Sequence, residues 1–213
     1  DAKAVGRAKY SGHLYLKNHI TIDADTRIIT DCHATPGAVQ DCTVLNERLD
    51  YQIKSFGFEV KEMIADAGYG TGPVLNHLRS KKIRSYIPIT DHNAGTKKPV
   101  YSNGFNYEWS KQRIKCPQGH YLYPHSKSYR GSIKFRMLGG HCKGCPLETK
   151  CLPATQKHRA LFLDLSIYEK DLELSRRRMG SLTFKKKMFE RRSKVEGIFA
   201  QAKMCHSLRR AKM

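Results

Sequence analysis

The chain has 213 residues, of which 39 are Lys or Arg and 19 are Asp or Glu, giving a formal charge of +20 at pH 7. That length holds one domain core plus an insertion, and no apolar run approaches the roughly 20 residues that span a bilayer. So large a cationic surplus favours polyanions through counterion release, whatever their sequence. The seven cysteines, an odd count in a chain too long for a small secreted scaffold, fit a reducing cytoplasm better than a disulfide framework.

In chain order, Tyr15 to Asp23 and Arg27 to Thr30 alternate in character around Ala24-Asp25-Thr26 and predict a hairpin. A helix is expected from about Ala38, with Leu45, Leu49, Ile53 and Phe56 along one side and Gly57 as its stop. The run Val60 to Ala65 predicts a buried strand ending at Asp66, followed by the turn residues Ala67-Gly68-Tyr69-Gly70. Catalytic groups gather at such strand ends, although a lone Asp-x-Gly is usually only a turn. A helix across Val74 to Ser80 and a strand across Ile83 to Ile89 follow.

Four cysteines then cluster: Cys116, in Cys-Pro-Gln-Gly-His120, and Cys142, Cys145 and Cys151. The Cys142 to Cys145 spacing lets both thiolates reach one tetrahedral ion, and Cys116 and Cys151 complete it, so a structural zinc is expected. His120 or His141 could replace one ligand, and an iron–sulfur cluster or reduced thiols without metal stay open as alternatives. Cys32, Cys42 and Cys205 stand apart and read as small core or surface residues.

Near the C-terminus, Phe189, Arg192, Glu196 and Lys203 are spaced by 3, 4 and 7 residues. At about 100° per residue they fall within one arc of a helix. Val195, Ile198, Phe199 and Ala202 form a neighbouring apolar stripe that can seat the helix on a core. The bland alternative is a solvated helix with an Arg192 to Glu196 pair, worth about 0.2–0.5 kcal/mol. The basic runs Arg176–Arg178, Lys185–Lys187 and Arg209–Arg210 bracket this helix.

With Ala65-Asp66-Ala67-Gly68-Tyr69 and the Phe189 to Lys203 helix together, the chain resembles the catalytic domain of a DDE transposase from bacterial insertion sequences. In that family the second catalytic aspartate lies in a motif like that around Asp66. The third acid, a glutamate, lies in a signature reading Tyr, two residues, Arg, three residues, Glu, six residues, Lys. Arg192, Glu196 and Lys203 match its spacing, while Phe189 replaces the tyrosine and loses its hydroxyl. Leu208-Arg209-Arg210-Ala211-Lys212 resembles the basic segment that follows. The first catalytic aspartate of the family has no counterpart here, and Asp1-Ala2-Lys3 resembles a later stretch. The resemblance therefore implies a fragment with two of three metal-binding carboxylates, inactive alone. Asp23, Asp31 and Asp41 read as turn or helix-cap residues rather than the missing ligand.

The fold so implied is α/β, an RNase H-like mixed sheet flanked by helices, with a Cys-rich, zinc-ribbon-like insertion before the last catalytic helix. Its expected parts are the first part of the core at 1–90, the insertion at 91–160 and the C-terminal helical part at 161–213. The implied activity is metal-dependent phosphodiester cleavage and strand transfer at the ends of an insertion sequence. Asp66 and Glu196 would hold Mg²⁺ or Mn²⁺, with Arg192, Lys203, Phe189, Tyr69, Arg209 and Arg210 on the DNA. The partners would be transposon-end and target DNA and a second copy in a synaptic homodimer, in the bacterial cytoplasm at the nucleoid and away from membranes. Two other readings stay open. An RNase H-like nuclease would release nicked product without joining it. A non-catalytic zinc module that binds nucleic acid would tolerate loss of Asp66 or Glu196.

Overall fold

The computed structural model describes residues 16–89, 104–127, 131–152 and 160–205. Asp1 to Lys3, the predicted strand start Tyr15, and Arg209 and Arg210 lie outside the described residues. The chain divides into two compact units, one of residues 1–93 with 171–213 and one of residues 94–170.

The first unit opens with the predicted hairpin. Strands β1 (Leu16–Ile22) and β2 (Ile29–Pro36) pair antiparallel, with Leu16 opposite Pro36. Asp23 closes the turn by accepting the Thr26 amide at 3.0 Å and the Thr26 hydroxyl at 2.5 Å. Strand β2 runs beyond the predicted Thr30 because residues 31–36 pair along all of β1. Asp31 consequently lies inside a strand, not in a turn or cap, and the Arg48 guanidinium donates to both its carboxylate oxygens, at 2.9 and 2.5 Å.

Helix α1 (Asp41–Phe56) ends at Gly57, whose φ of 67° is the left-handed conformation a glycine adopts without a Cβ clash. Its expected face is buried at Leu49 and half-buried at Leu45 and Ile53, and departs from expectation at Gln52 and Phe56. Leu49 and Gln52 are buried, whereas Phe56 is 54% exposed and sits against Tyr51 and Phe58. Gln52 is tolerated inside because its side-chain oxygen accepts the Thr30 hydroxyl and its amide donates to the Arg48 carbonyl.

Strand β3 (Glu62–Ile64), helix α2 (Gly72–Ser80) and strand β4 (Arg84–Tyr86) form a parallel crossover, with Met63 opposite Ser85. Val74, Leu75 and Leu78 of α2 are buried with Ile83, Tyr86 and Ile87. Helix α4 (Glu169–Met179; α3 is given below) is tied to α2 by Asp171, which accepts from Asn76 at 2.9 Å and from Arg79. Helix α5 (Leu182–Arg191) buries Phe184 beside Tyr86, and Lys187 reaches Glu62 at 2.6 Å. The two strand pairs are separate ladders, so the architecture is mixed α/β without one continuous sheet among the described residues.

The second unit holds a five-stranded antiparallel sheet in the order β5 (Asn106–Glu108), β6 (Arg113–Lys115), β7 (Tyr121–Lys127), β8 (Ser132–Met137), β9 (Phe162–Ser166). Ile114, Leu122, Phe135, Met137 and Leu165 cover one face and pack with Cys142, Leu152 and Leu161. The short helix α3 (Glu148–Cys151) lies in this unit. No helix among the described residues is long and apolar enough to cross a membrane.

Candidate functional site

Asp66 follows the C-terminal end of β3. The ladder's last bond runs from the Ala65 amide to the Tyr86 carbonyl, and Asp66 then caps a single 3₁₀ turn, accepting the Ala67 amide at 2.7 Å. Its carboxylate is exposed. Gly70 is required by space rather than by conformation: a Cβ there would stand 2.1 Å from the Pro88 carbonyl oxygen. The turn after Asp66 is thereby pressed against the segment that leaves β4.

Between these glycines Tyr69 points inward. Its hydroxyl lies 3.1 Å from His19 Nδ1, and His19 Nε2 lies 2.9 Å from Thr35 Oγ1. Burial, with Asp41 and Asp66 nearby, pushes the phenol up to about 12. Burial also lowers the pKa of His19. A neutral imidazole that accepts the Tyr69 proton at Nδ1 can donate from Nε2 to Thr35. Asp41 opens α1 and accepts Lys17 at 3.1 Å, in keeping with its helix-start reading. Neither His19 nor the inward hydroxyl of Tyr69 stood out in the sequence, because the two are 50 residues apart and meet only in the folded unit.

Glu196 lies at the end of a π turn, Arg192–Glu196, between α5 and α6 (Gly197–Cys205). Such turns bond i to i+5, are rare, and often mark functional positions. The turn changes the pairing. Arg191, not Arg192, approaches Glu196, at 3.8 Å, with the Glu196 side chain 62% exposed. The π turn also interrupts the 3.6-residue spacing behind the single-arc reading. Phe189, Arg192, Glu196 and Lys203 share exposure, and Phe189 is 73% exposed. Val195, Ile198, Phe199 and Ala202 are half-buried, as the stripe requires.

Burial is the largest cause of the Tyr69 shift, with Asp41 and Asp66 adding to it and the Arg191 guanidinium opposing it. Several of the nearby cations are already paired, Lys187 with Glu62 and Arg177 with Glu173. Lys185, Lys186, Arg192 and Lys203 remain exposed. Among the described residues no three His, Cys, Asp or Glu side chains are grouped to hold a metal ion. Two carboxylates nonetheless fit the donor needs of Mg²⁺, which keeps several waters and is commonly held by one or two acidic side chains plus phosphate oxygens.

In the second unit, Cys116, Cys142, Cys145 and Cys151 all line one small pocket together with His120 and His141. The two imidazoles stack at 4.1 Å. Gly119 and Gly144, at φ of 87° and 76°, turn the chain beside the cysteines, and the Leu147 amide donates to Cys145 Sγ at 3.4 Å. Burial pushes the Cys142 and Cys151 thiols up. All seven cysteines are free, and Cys32 and Cys205 are exposed.

Residues 115–213 match the family described as transposase DDE domain, a span that includes Glu196 and the four clustered cysteines but not Asp66. No curated protein and no solved structure matches the chain.

Proposed function

From the match of residues 115–213 to the transposase DDE domain family, we propose that the chain carries catalytic machinery of a DNA transposase that cleaves and joins strands at the ends of an insertion sequence, with Asp66 and Glu196 as its metal-binding acids. The observation that carries this reading is that Asp66, at the end of β3, and Glu196, at the end of the π turn, are both exposed acids of the same compact unit. Mg²⁺ or Mn²⁺ bound by such carboxylates supplies Lewis-acid polarisation of the phosphate and an activated water or 3′ hydroxyl.

The chain's own groups have distinct tasks. The Ala67 amide holds Asp66 at the strand end and leaves the rest of its carboxylate free to bind. Arg192 and Lys203, exposed on the Glu196 segment, grip phosphates and set register without reading bases. The exposed Phe189 ring packs against the DNA, and Arg209 and Arg210, later in the sequence, supply further cations for it. Tyr69, with its phenol near 12, stays protonated and fixes the loop through His19 instead of moving a proton. The partners are transposon-end and target DNA, engaged by a homodimer in the bacterial cytoplasm. Cys116, Cys142, Cys145 and Cys151 line one pocket but are not grouped as ligands as they stand; drawn together they would supply the thiolate donors of a structural zinc, which differ in kind from the oxygen donors of the catalytic metals.

The test is Asp66→Asn and Glu196→Gln in the complete transposase, with cleavage, joining and binding of end-containing DNA measured in Mg²⁺. Cleavage and joining should be lost while binding is retained. Parallel loss of binding would make these acids structural. Nicked product that is never joined to a target would favour the plain nuclease.

A further inference from the structure

Successive residues of a strand face opposite sides of a sheet, and cross-strand partners share a side. In the five-stranded sheet one side is the apolar core already described. The other side carries the rings of Tyr121 and Tyr123 of β7 and Phe162 of β9, with the His125 ring of β7 edge-on to Phe162 at 5.8 Å. The register sets Lys115 beside Tyr121, Tyr123 beside Arg136, and Arg136 beside Phe162. Arg113, partner of Glu108 across the ladder, lies 3.7 Å over the Tyr121 ring, and Arg136 lies 5.7 Å over Phe162. Lys134 completes four cations on this side, against Glu108, which pairs with Arg113 at 2.7 Å, and Asp164 opposite Lys134. Tyr123 is 42% exposed.

Cations alone would suit any polyanion, and rings alone would suit any apolar partner. Their alternation at neighbouring sheet positions is the combination that holds unpaired nucleotides, with phosphates on the cations and base faces on the rings. A duplex offers phosphates but keeps its base faces stacked and out of reach. We propose that this sheet face binds single-stranded nucleic acid, with bases stacking on Tyr123 and Phe162 and phosphates held by Lys115, Lys134 and Arg136, while the Tyr121 ring is covered by Arg113. The face is independent of Asp66 and Glu196, so the proposal stands or falls apart from the catalytic reading.

The experiment is fluorescence anisotropy of the full chain with a labelled oligothymidine of about 12 nucleotides, within the span one such surface covers, and with a duplex of equal length. Tyr123→Ala should weaken single-strand binding at least about fivefold and leave duplex binding within about twofold, whereas Tyr123→Phe should keep both. The double variant Lys134→Gln/Arg136→Gln changes only exposed side chains and serves should Tyr123→Ala fail to fold. It should flatten the slope of log affinity against log salt by about 1.4 for the single strand. Single-strand binding that ignores both changes, or equal losses on single strand and duplex, would overturn the proposal.

Discussion

Arg191 and Glu196 face each other at 3.8 Å across a π turn, five residues apart on the chain. The guanidinium is mostly covered while the carboxylate is largely in water, so the arginine is the fixed partner and the glutamate the one able to leave. In the proposed reaction Arg191 competes with the divalent cation for Glu196. Arg191→Met should lower the Mg²⁺ concentration that gives half-maximal cleavage by the complete transposase. Loss of the ion pair itself should cost no more than about 1 kcal/mol, because its Glu196 partner lies largely in water. A magnesium titration of wild type and variant, beside their urea unfolding midpoints, checks both.

Gly70 admits no side chain without moving the Pro88 carbonyl. Gly70→Ala should destabilise the protein by about 1–3 kcal/mol, as other forced overpackings do. Gly68→Ala, whose Cβ would meet only Asp41 at 3.7 Å, should cost much less. Urea denaturation of the two variants separates them.

The lowered pKa of His19 gives stability a definite sign with pH. The folded value lies below the ordinary 6.5, so between the two values the unfolded chain binds more protons. The contribution of His19 is whole above pH 6.5 and is lost as the pH falls through the folded value. His19→Asn should therefore flatten the decline in unfolding midpoint on acidification from pH 6.5. Unchanged slopes would mean that the imidazole is not held neutral between Tyr69 and Thr35.

A zinc held by the cysteine pocket should appear as one equivalent per chain by elemental mass spectrometry, with most of it lost in Cys145→Ser. Cys32, Cys42 and Cys205 should react with a thiol reagent at once, and the other four cysteines only after chelation. Because burial raises the Cys142 and Cys151 thiols, protons compete with the metal there, and zinc retention should weaken as pH falls.

The hairpin, α1 with its Gly57 stop, and the order β3, α2, β4 were all legible in the sequence, because each rests on local periodicity and turn chemistry. Asp66 lies where the apolar run ends, for the same reason. Phe56 defied the pattern because its side of α1 has nothing to pack on beyond Tyr51 and Phe58, while Gln52 could be buried once Thr30 and Arg48 met its amide. The five-stranded sheet escaped prediction since β5 and β6 have three residues each, too few to show alternation. At the Glu196 segment the chemistry of the residues was visible but the pairing was not, since a 3.6-residue count cannot anticipate a π turn. His19 was invisible for a different reason: its partners Thr35 and Tyr69 are 16 and 50 residues away.

That π turn also makes the end of the chain unusually sensitive to length. It lets one surplus residue fit between α5 and α6 while both helices keep their own faces. Deleting Ser193 would let the segment close into an ordinary helix with the faces on either side unchanged, whereas one further residue inserted there would swing everything after it by about 100°, the rotation of one residue. Ile198, Phe199 and Ala202 would turn toward water and Lys203 would leave its present direction, with no change in composition around Glu196. A single-codon insertion here is thus a more severe lesion than most substitutions of the same residues, and a single-codon deletion a milder one.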